Sequence, residues 1–261
     1  MPLIETEGAL RAAAAQMVSD AGGFIVKPQT LAGLPDGTAI LVADFDVAHL
    51  NFDRIADAGT SLPPDLHRAI PKRQAEFLAG RLLTKVALTT IGCQSEQVPR
   101  GPDRAPIWPD GISGSITHSK TRAAALVSRR CGDRPGIDLE EMVKPTDLDT
   151  TFRHILTVRE SDHLRSLPES DAITLATLLF SAKETLFKSL YPTVGRFFGF
   201  DCAEMTTHPE RKTVTLRLTK GLHSDLPEDK AFDIAFDIYS NQVLTWTLGV
   251  DLPPETSLCL V

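Results

Sequence analysis

The strongest pattern along the chain is a helical periodicity over residues 71–92, PKRQAEFLAGRLLTKVALTTIG. Ala75, Leu78, Ala79, Leu82, Leu83 and Val86 follow the i, i+3, i+4, i+7 spacing of one buried helix face. Pro71 suits the first turn and Gly92 the end. A second helix is predicted over residues 172–190, with Leu175, Leu178, Leu179, Ala182, Leu186 and Leu190 on one side. The Ala-rich stretch 8–21 predicts a shorter one. Alternating or β-branched runs predict strands at 39–46, 114–118, 122–128, 136–142, 213–218, 232–239 and 243–250. The Pro-, Gly- and Asp-rich segment 98–111 reads as a loop. Each half of the chain therefore offers a long helix and several strands, an α+β pattern without a residue-level repeat. The Arg134-Pro135-Gly136 turn divides it into expected subdomains 1–134 and 135–261.

Composition narrows the class. The 261 residues are 42% hydrophobic and 23% charged, enough to bury a core and too apolar for a disordered chain. No apolar run approaches the roughly 18 residues of a membrane span. The N-terminus carries Glu5 and Glu7 and lacks the basic-then-apolar order of a secretory signal. Cys93, Cys131, Cys202 and Cys259 are scattered, which excludes a CxxC zinc site and points to a reducing cytoplasm. The net charge of −7 is uneven. Residues 68–134 hold 12 Lys+Arg against 5 Asp+Glu, whereas residues 135–261 hold 12 against 20. A basic first half suits a small anion such as phosphate. An acidic chain with 6% aromatics does not suit bulk nucleic-acid binding.

Several residue groups could carry chemistry. Asp138 and Glu140, two apart on a strand, point to one face. Alone they read as an acidic surface; with a cation between them they suit Mg²⁺, a hard ion that takes one or two protein carboxylates. Glu184 and Lys188 share a face of the second helix, and alone they read as a helix-stabilising pair. Lys183 lies about 100° from Glu184, nearer the apolar side, where a lysine needs a reason. Thr117 and His118 close a strand beside small residues, a place for a phosphate or an ordinary turn. Arg73 and Arg81, eight apart on the first helix, lie within about 80° of each other. Arg104 or its rival Arg100 adds a basic group from the loop. GSITHSKT (114–121) falls short of a phosphate-binding P-loop, because Ser119 replaces the second glycine and no helix follows.

The order of these groups is more specific than any one of them. KRQAEFLAGR (72–81), PIWPDGISGSITHS (106–119), GIDLE (136–140) and FSAKETLFK (180–188) succeed one another across about the middle 45% of the chain. The series resembles the 4′-phosphopantetheinyl transferases of the Sfp type, and within them the enterobactin synthase component D branch. Phe180 stands where some relatives have Trp, and Glu141 adds an acid after GIDLE.

The resemblance implies a pseudo-twofold pair of α+β subdomains with the active site in the cleft between them. It implies transfer of 4′-phosphopantetheine from coenzyme A to a serine of an apo carrier protein, with release of 3′,5′-ADP. It assigns Asp138, Glu140 and Glu184 to Mg²⁺. Glu184 or a Mg-bound water would take the serine proton. Lys183 and Lys188 would flank the pyrophosphate. Arg73, Arg81, Arg104, Thr117 and His118 would contact the coenzyme A phosphates. The branch implies aryl or peptidyl carriers of a siderophore synthetase, with fatty-acid and polyketide carriers as the alternative. Segment 152–168 is a candidate docking stretch for the carrier. A monomer is expected, since two halves would supply a complete site. The rivals are a non-catalytic coenzyme A or carrier-binding module and an unrelated Mg²⁺-dependent phosphohydrolase.

Overall fold

The structure, a computed structural model, describes residues 3–94, 97–239, 241–249 and 257–260. In chain order its elements are α1 (Leu3–Asp20), β1 (Ile25–Ala32), β2 (Thr38–Phe45), α2 (Phe52–Asp57), α3 (Pro71–Thr90), β3 (Ser113–His118), β4 (Arg122–Ser128), β5 (Gly136–Glu141), α4 (Leu148–Ile155), α5 (Val158–Arg165), α6 (Glu169–Val194), β6 (Ala203–Met205), β7 (Thr213–Leu218), β8 (Ala231–Tyr239), β9 (Gln242–Thr247) and β10 (Ser257–Leu260). The chain forms two compact units, Met1–Pro135 with Pro253–Val261, and Gly136–Leu252. The end of the chain thus departs from the expected division: β10 pairs with β1 and belongs to the first unit.

The first unit is an antiparallel sheet in the order β10-β1-β2-β4-β3 with α3 laid across β2 and β4 and α1 packed on α3. The apolar face read from the sequence is the one buried: Leu78, Leu82 and Leu83 of α3 join Leu41 of β2 and Val127 of β4 in one core. Each fully buried Leu contributes about 1.5–3 kcal/mol, so this face, rather than helix propensity, holds α3 in place. Gly80 lets the helix lie close on β3, since a Cβ there would stand 2.8 Å from Ile116 Cγ2. Strand β1 was not predicted. It contains Pro28 and a register shift between Val26 and Gln29, and Lys27 has φ 50°. A proline and a bulge remove the alternation by which a strand is read.

The second unit repeats the recipe with a different order, β5-β9-β8-β7-β6, all antiparallel, and α6 packed on β5 and β9. Leu175, Leu178, Leu179 and Leu186 of α6 meet Val214, Ile234 and Val243 of the sheet. The helix runs three residues before and four beyond its predicted span, through Pro192, and stops at Gly195 in the left-handed conformation, φ 67°. The strand predicted at 243–250 stops at Thr247. Helices α4 and α5 are eight residues each, too short for a period to stand out. Among the described residues no helix is long and apolar enough to cross a membrane.

Candidate functional site

In the second unit the chemistry gathers where α6 crosses β5. Gly136 opens β5, and a Cβ there would lie 2.2 Å from the carbonyl oxygen of Thr185. Glycine therefore lets the backbone of α6 rest directly on the strand that bears Asp138 and Glu140. Asp138 is 3% exposed. Its Oδ2 accepts from Ser181 Oγ at 2.9 Å, and its Oδ1 from Lys188 Nζ at 2.6 Å. Lys188 Nζ also donates to Ile137 O at 3.1 Å. Thr245 of β9 joins the same network, 2.9 Å from Ser181 Oγ and 2.6 Å from Thr185 Oγ1. One face of α6 is thus bonded to two strands through hydroxyls that the sequence reading passed over. Ser181, Thr185 and Lys188 stand at helical spacing, and that spacing was the available signal.

The carboxylates feel one another. Burial pushes Glu140 up to about 8, and Asp138, Glu184 and Glu141 push the same way while Lys188 opposes them. Burial also holds Glu184 above the usual carboxylate range, with Lys188 lowering it and Asp138 raising it. Ionising Asp138, Glu140 and Glu184 together beside the Lys188 ammonium would leave an excess of negative charge in a partly buried place, which a bound cation would offset. Among the described residues no three of His, Cys, Asp or Glu form a ready-made metal cage. Mg²⁺ does not need one, because it keeps several waters and takes one or two protein carboxylates. Hard oxygen donors with mutual repulsion fit that ion.

Lys183, expected beside a pyrophosphate, is paired with a carboxylate in the interior. Its Nζ donates to Glu160 Oε2 at 2.6 Å and to Ile155 O at 3.0 Å, and both charged side chains are 1% exposed. Burial lowers the Lys183 pKa, while Glu160 works to raise it. The lysine on the apolar side of the helix has its reason in a buried carboxylate. Glu160 was missed, although Thr157-x-x-Glu160 has the spacing of a capping box, and a capping box is what it makes.

The first unit holds a cluster of a different kind. A cavity of about 140 Å³ is lined by Arg73, Arg81, Arg100, Arg104 and His118, with Phe77 and Ile116 as apolar wall. Arg73 Nη1 donates to His118 Nε2 at 2.9 Å and to Glu76 Oε2 at 3.2 Å. A guanidinium can only donate, so in this contact His118 Nε2 accepts. Arg81 is 6% exposed, and among the described residues its Nε and Nη1 have no hydrogen-bond partner. Burial, with Arg100 nearby, pulls its pKa down to about 10. A buried guanidinium with idle donors beside other guanidinia is a receptor for an anion. Arg100 is paired with Asp65, and both Arg100 and Arg104 line the cavity. Arg104 sits at φ 71°, a conformation disfavoured for a side chain of its size, inside the loop closed by the Arg100–Pro106 bridge. Thr117 is set differently from its neighbours. Ile116 and His118 face the cavity, whereas strand alternation turns the buried Thr117 to the other side of β3.

The match to known proteins follows the same two units. Residues 63–128 match the 4′-phosphopantetheinyl transferase N-terminal domain, and residues 134–236 match the 4′-phosphopantetheinyl transferase superfamily. Enterobactin synthase component D of Salmonella typhi is 34% identical over 189 residues, 66% of this chain and 70% of the relative. The 4′-phosphopantetheinyl transferase Svp of Streptomyces mobaraensis is 34% identical over 152 residues, 58% of this chain and 61% of the relative. PptT of Mycobacterium tuberculosis is 33% identical over 153 residues, 56% of this chain and 65% of the relative. With both long helices, the arginine-lined cavity and the carboxylate cluster falling within the matched segments, this chain belongs to the 4′-phosphopantetheinyl transferase superfamily, on the enterobactin synthase component D branch, and is a holo-carrier-protein synthase.

Proposed function

We propose that the enzyme takes its 4′-phosphopantetheine from coenzyme A in a Mg²⁺-dependent reaction, releases 3′,5′-ADP, and serves aryl or peptidyl carrier proteins of a siderophore synthetase. The observation that carries the coenzyme A reading is Arg81, buried with two idle donors in a cavity that Arg73, Arg100, Arg104 and His118 also line. The nucleotide end of coenzyme A is rich in phosphate, and planar guanidinium forks match phosphate oxygens bidentately.

Asp138, Glu140 and Glu184 would hold the metal, which when bound would neutralise the pyrophosphate and polarise the phosphorus. The protein's own residues do the rest. The carrier serine oxygen forms a bond to the phosphorus next to the pantetheine arm, and the bond from that phosphorus to the bridging oxygen of 3′,5′-ADP breaks. A serine hydroxyl is a weak nucleophile at its ordinary pKa, so its proton must leave to a base within reach. Glu184 is assigned that proton, being a carboxylate on the same helix as Lys188. Lys188 is assigned to the charge that grows on the leaving phosphate. Little covalent work falls to the protein in phosphoryl transfer, which relies on positioning and on neutralised charge.

The siderophore assignment rests on the branch. Free cysteines at Cys93, Cys131 and Cys202 suit the cytoplasm, where we place the reaction. The test is product analysis with apo aryl, peptidyl, acyl and polyketide carriers. Formation of 3′,5′-ADP that requires both Mg²⁺ and carrier, fastest with aryl or peptidyl carriers, supports the reading. Coenzyme A breakdown without any carrier would point to a phosphohydrolase. Tight coenzyme A binding with no product on any carrier would point to a binding module.

A further inference from the structure

Lys183 and Glu160 take no part in the reaction steps proposed above. Glu160 is 2% exposed, yet its carboxylate serves three elements at once. Oε2 accepts from Thr157 N at 2.8 Å, closing the first turn of α5. Oε1 accepts from Met205 N at 2.8 Å, fixing the edge strand β6. Oε2 also accepts from Lys183 Nζ at 2.6 Å, the point of attachment on α6. Thr157 Oγ1 donates to Glu204 Oε1 at 2.8 Å, a second tie between α5 and β6.

At about 100° per residue, Lys183 lies roughly 160–200° round the helix from Ser181 and Thr185. Those two are the hydroxyls that bond α6 to β5 and β9. The helix is therefore gripped from opposite sides, and such a grip fixes its rotation about its own axis. Glu184 and Lys188 ride on that rotation. A side-chain tip about 5–6 Å from the axis moves about 2 Å for a turn of roughly 20°. A misplacement of about 1 Å at a reacting centre can cost on the order of a hundredfold in rate.

We propose that Glu160 and Lys183 are a positioning pair that sets the rotation of α6, so that Glu184 and Lys188 meet the reacting phosphate without Lys183 touching the substrate. The inference rests on the roles proposed for Glu184 and Lys188. It also gives Lys183, a residue of the FSAKETLFK block, work other than phosphate contact.

The test uses the full-length enzyme with Lys183→Met, Glu160→Gln and the double variant, each corrected for folded fraction by circular dichroism and a thermal melt. The readouts are coenzyme A affinity by calorimetry and kcat for carrier modification. The expected result is a fall in kcat of about tenfold to a hundredfold in each single variant. Coenzyme A affinity should stay within about twofold, the same margin as the scatter of the titration. The double variant should be no worse than the poorer single variant, because removing either partner already frees the helix. Loss of coenzyme A affinity by tenfold or more in Lys183→Met would mean direct phosphate contact and would overturn the proposal. So would multiplicative losses in the double variant, or an unchanged kcat per folded molecule, which would leave the pair a purely structural role. If the wild-type enzyme modifies no carrier, the parent reading fails instead, and the two failures are distinguished by that control.

Discussion

Replacing Gly136 by alanine separates two forces of opposite sign. Gly136 opens β5, and its φ is not in the left-handed region, so the backbone alone would favour alanine by about 0.5–1 kcal/mol. The new Cβ, however, would stand 2.2 Å from Thr185 O and 3.0 Å from Ser189 Cβ, against ordinary contact from 3.4 Å. The helix must retreat from β5 by about 1 Å, and overpacking of that kind costs about 1–3 kcal/mol. The same retreat would stretch the 2.9 Å bond from Ser181 to Asp138 and the 2.6 Å bond from Lys188 to Asp138 out of hydrogen-bond range. At the middle of both ranges packing outweighs the backbone gain, leaving a net loss of about 1 kcal/mol. For a chain of this size that lowers Tm by about 2–4 °C. Carrier modification should fall at least about tenfold, since carboxylate and helix are displaced together. The assays are a thermal melt and an initial-rate measurement on the same preparation. A Gly136→Ala enzyme as stable as wild type or more so, with unchanged rate, would refute the close approach of α6 to β5 on which the site is built.

The charged groups give two further outcomes, and a close-packed glycine gives a third. Arg81→Met removes a buried guanidinium with idle donors, so Tm should hold or rise, while coenzyme A affinity measured by calorimetry falls by about tenfold to a hundredfold. Mg²⁺ should raise the Tm of the wild-type enzyme by offsetting repulsion among Asp138, Glu140 and Glu184, and should leave Asp138→Ala unmoved; equal shifts in both would place the cation elsewhere. Gly114→Ala would put a Cβ 2.5 Å from the ring of Trp108 and 2.8 Å from Leu126 O, so the melt should shift downward by several degrees, and an unshifted melt would contradict that packing.

The parts of this fold that were legible in the sequence share a physical cause. Helices α3 and α6 are long and bury one stripe, and β7 alternates residue by residue against a core, so each announces its period. Strand β1 hides behind Pro28 and a bulge. Helices α4 and α5 are two turns each, too short for a buried stripe to repeat. The excursion of β10 back to the first sheet depends on pairing across more than two hundred residues, which no local pattern records.

The site shows the same division. Spacing alone brought Asp138 and Glu140 to one face of β5, and set Glu184 and Lys188 on one face of α6. Order along the chain brought the arginines of α3 into one reading with the loop arginines. Direction was the harder inference. Thr117 differs from His118 only by the alternation of a strand, and Lys183 differs from Glu184 only by 100° of helix rotation. A motif names both members of each pair, and burial tells them apart. The interior carboxylate at Glu160 explains Lys183, and it lies 23 residues away in sequence.

The central claim is most directly tested on the carrier itself. The enzyme is incubated with coenzyme A, Mg²⁺ and an apo peptidyl or aryl carrier protein, and the carrier's intact mass is read. The account predicts a gain of one phosphopantetheine arm on one serine, abolished by chelator and by Asp138→Ala and strongly reduced by Arg81→Met. A carrier whose mass stays unchanged across the whole carrier panel, in the presence of enzyme that binds coenzyme A, would contradict it.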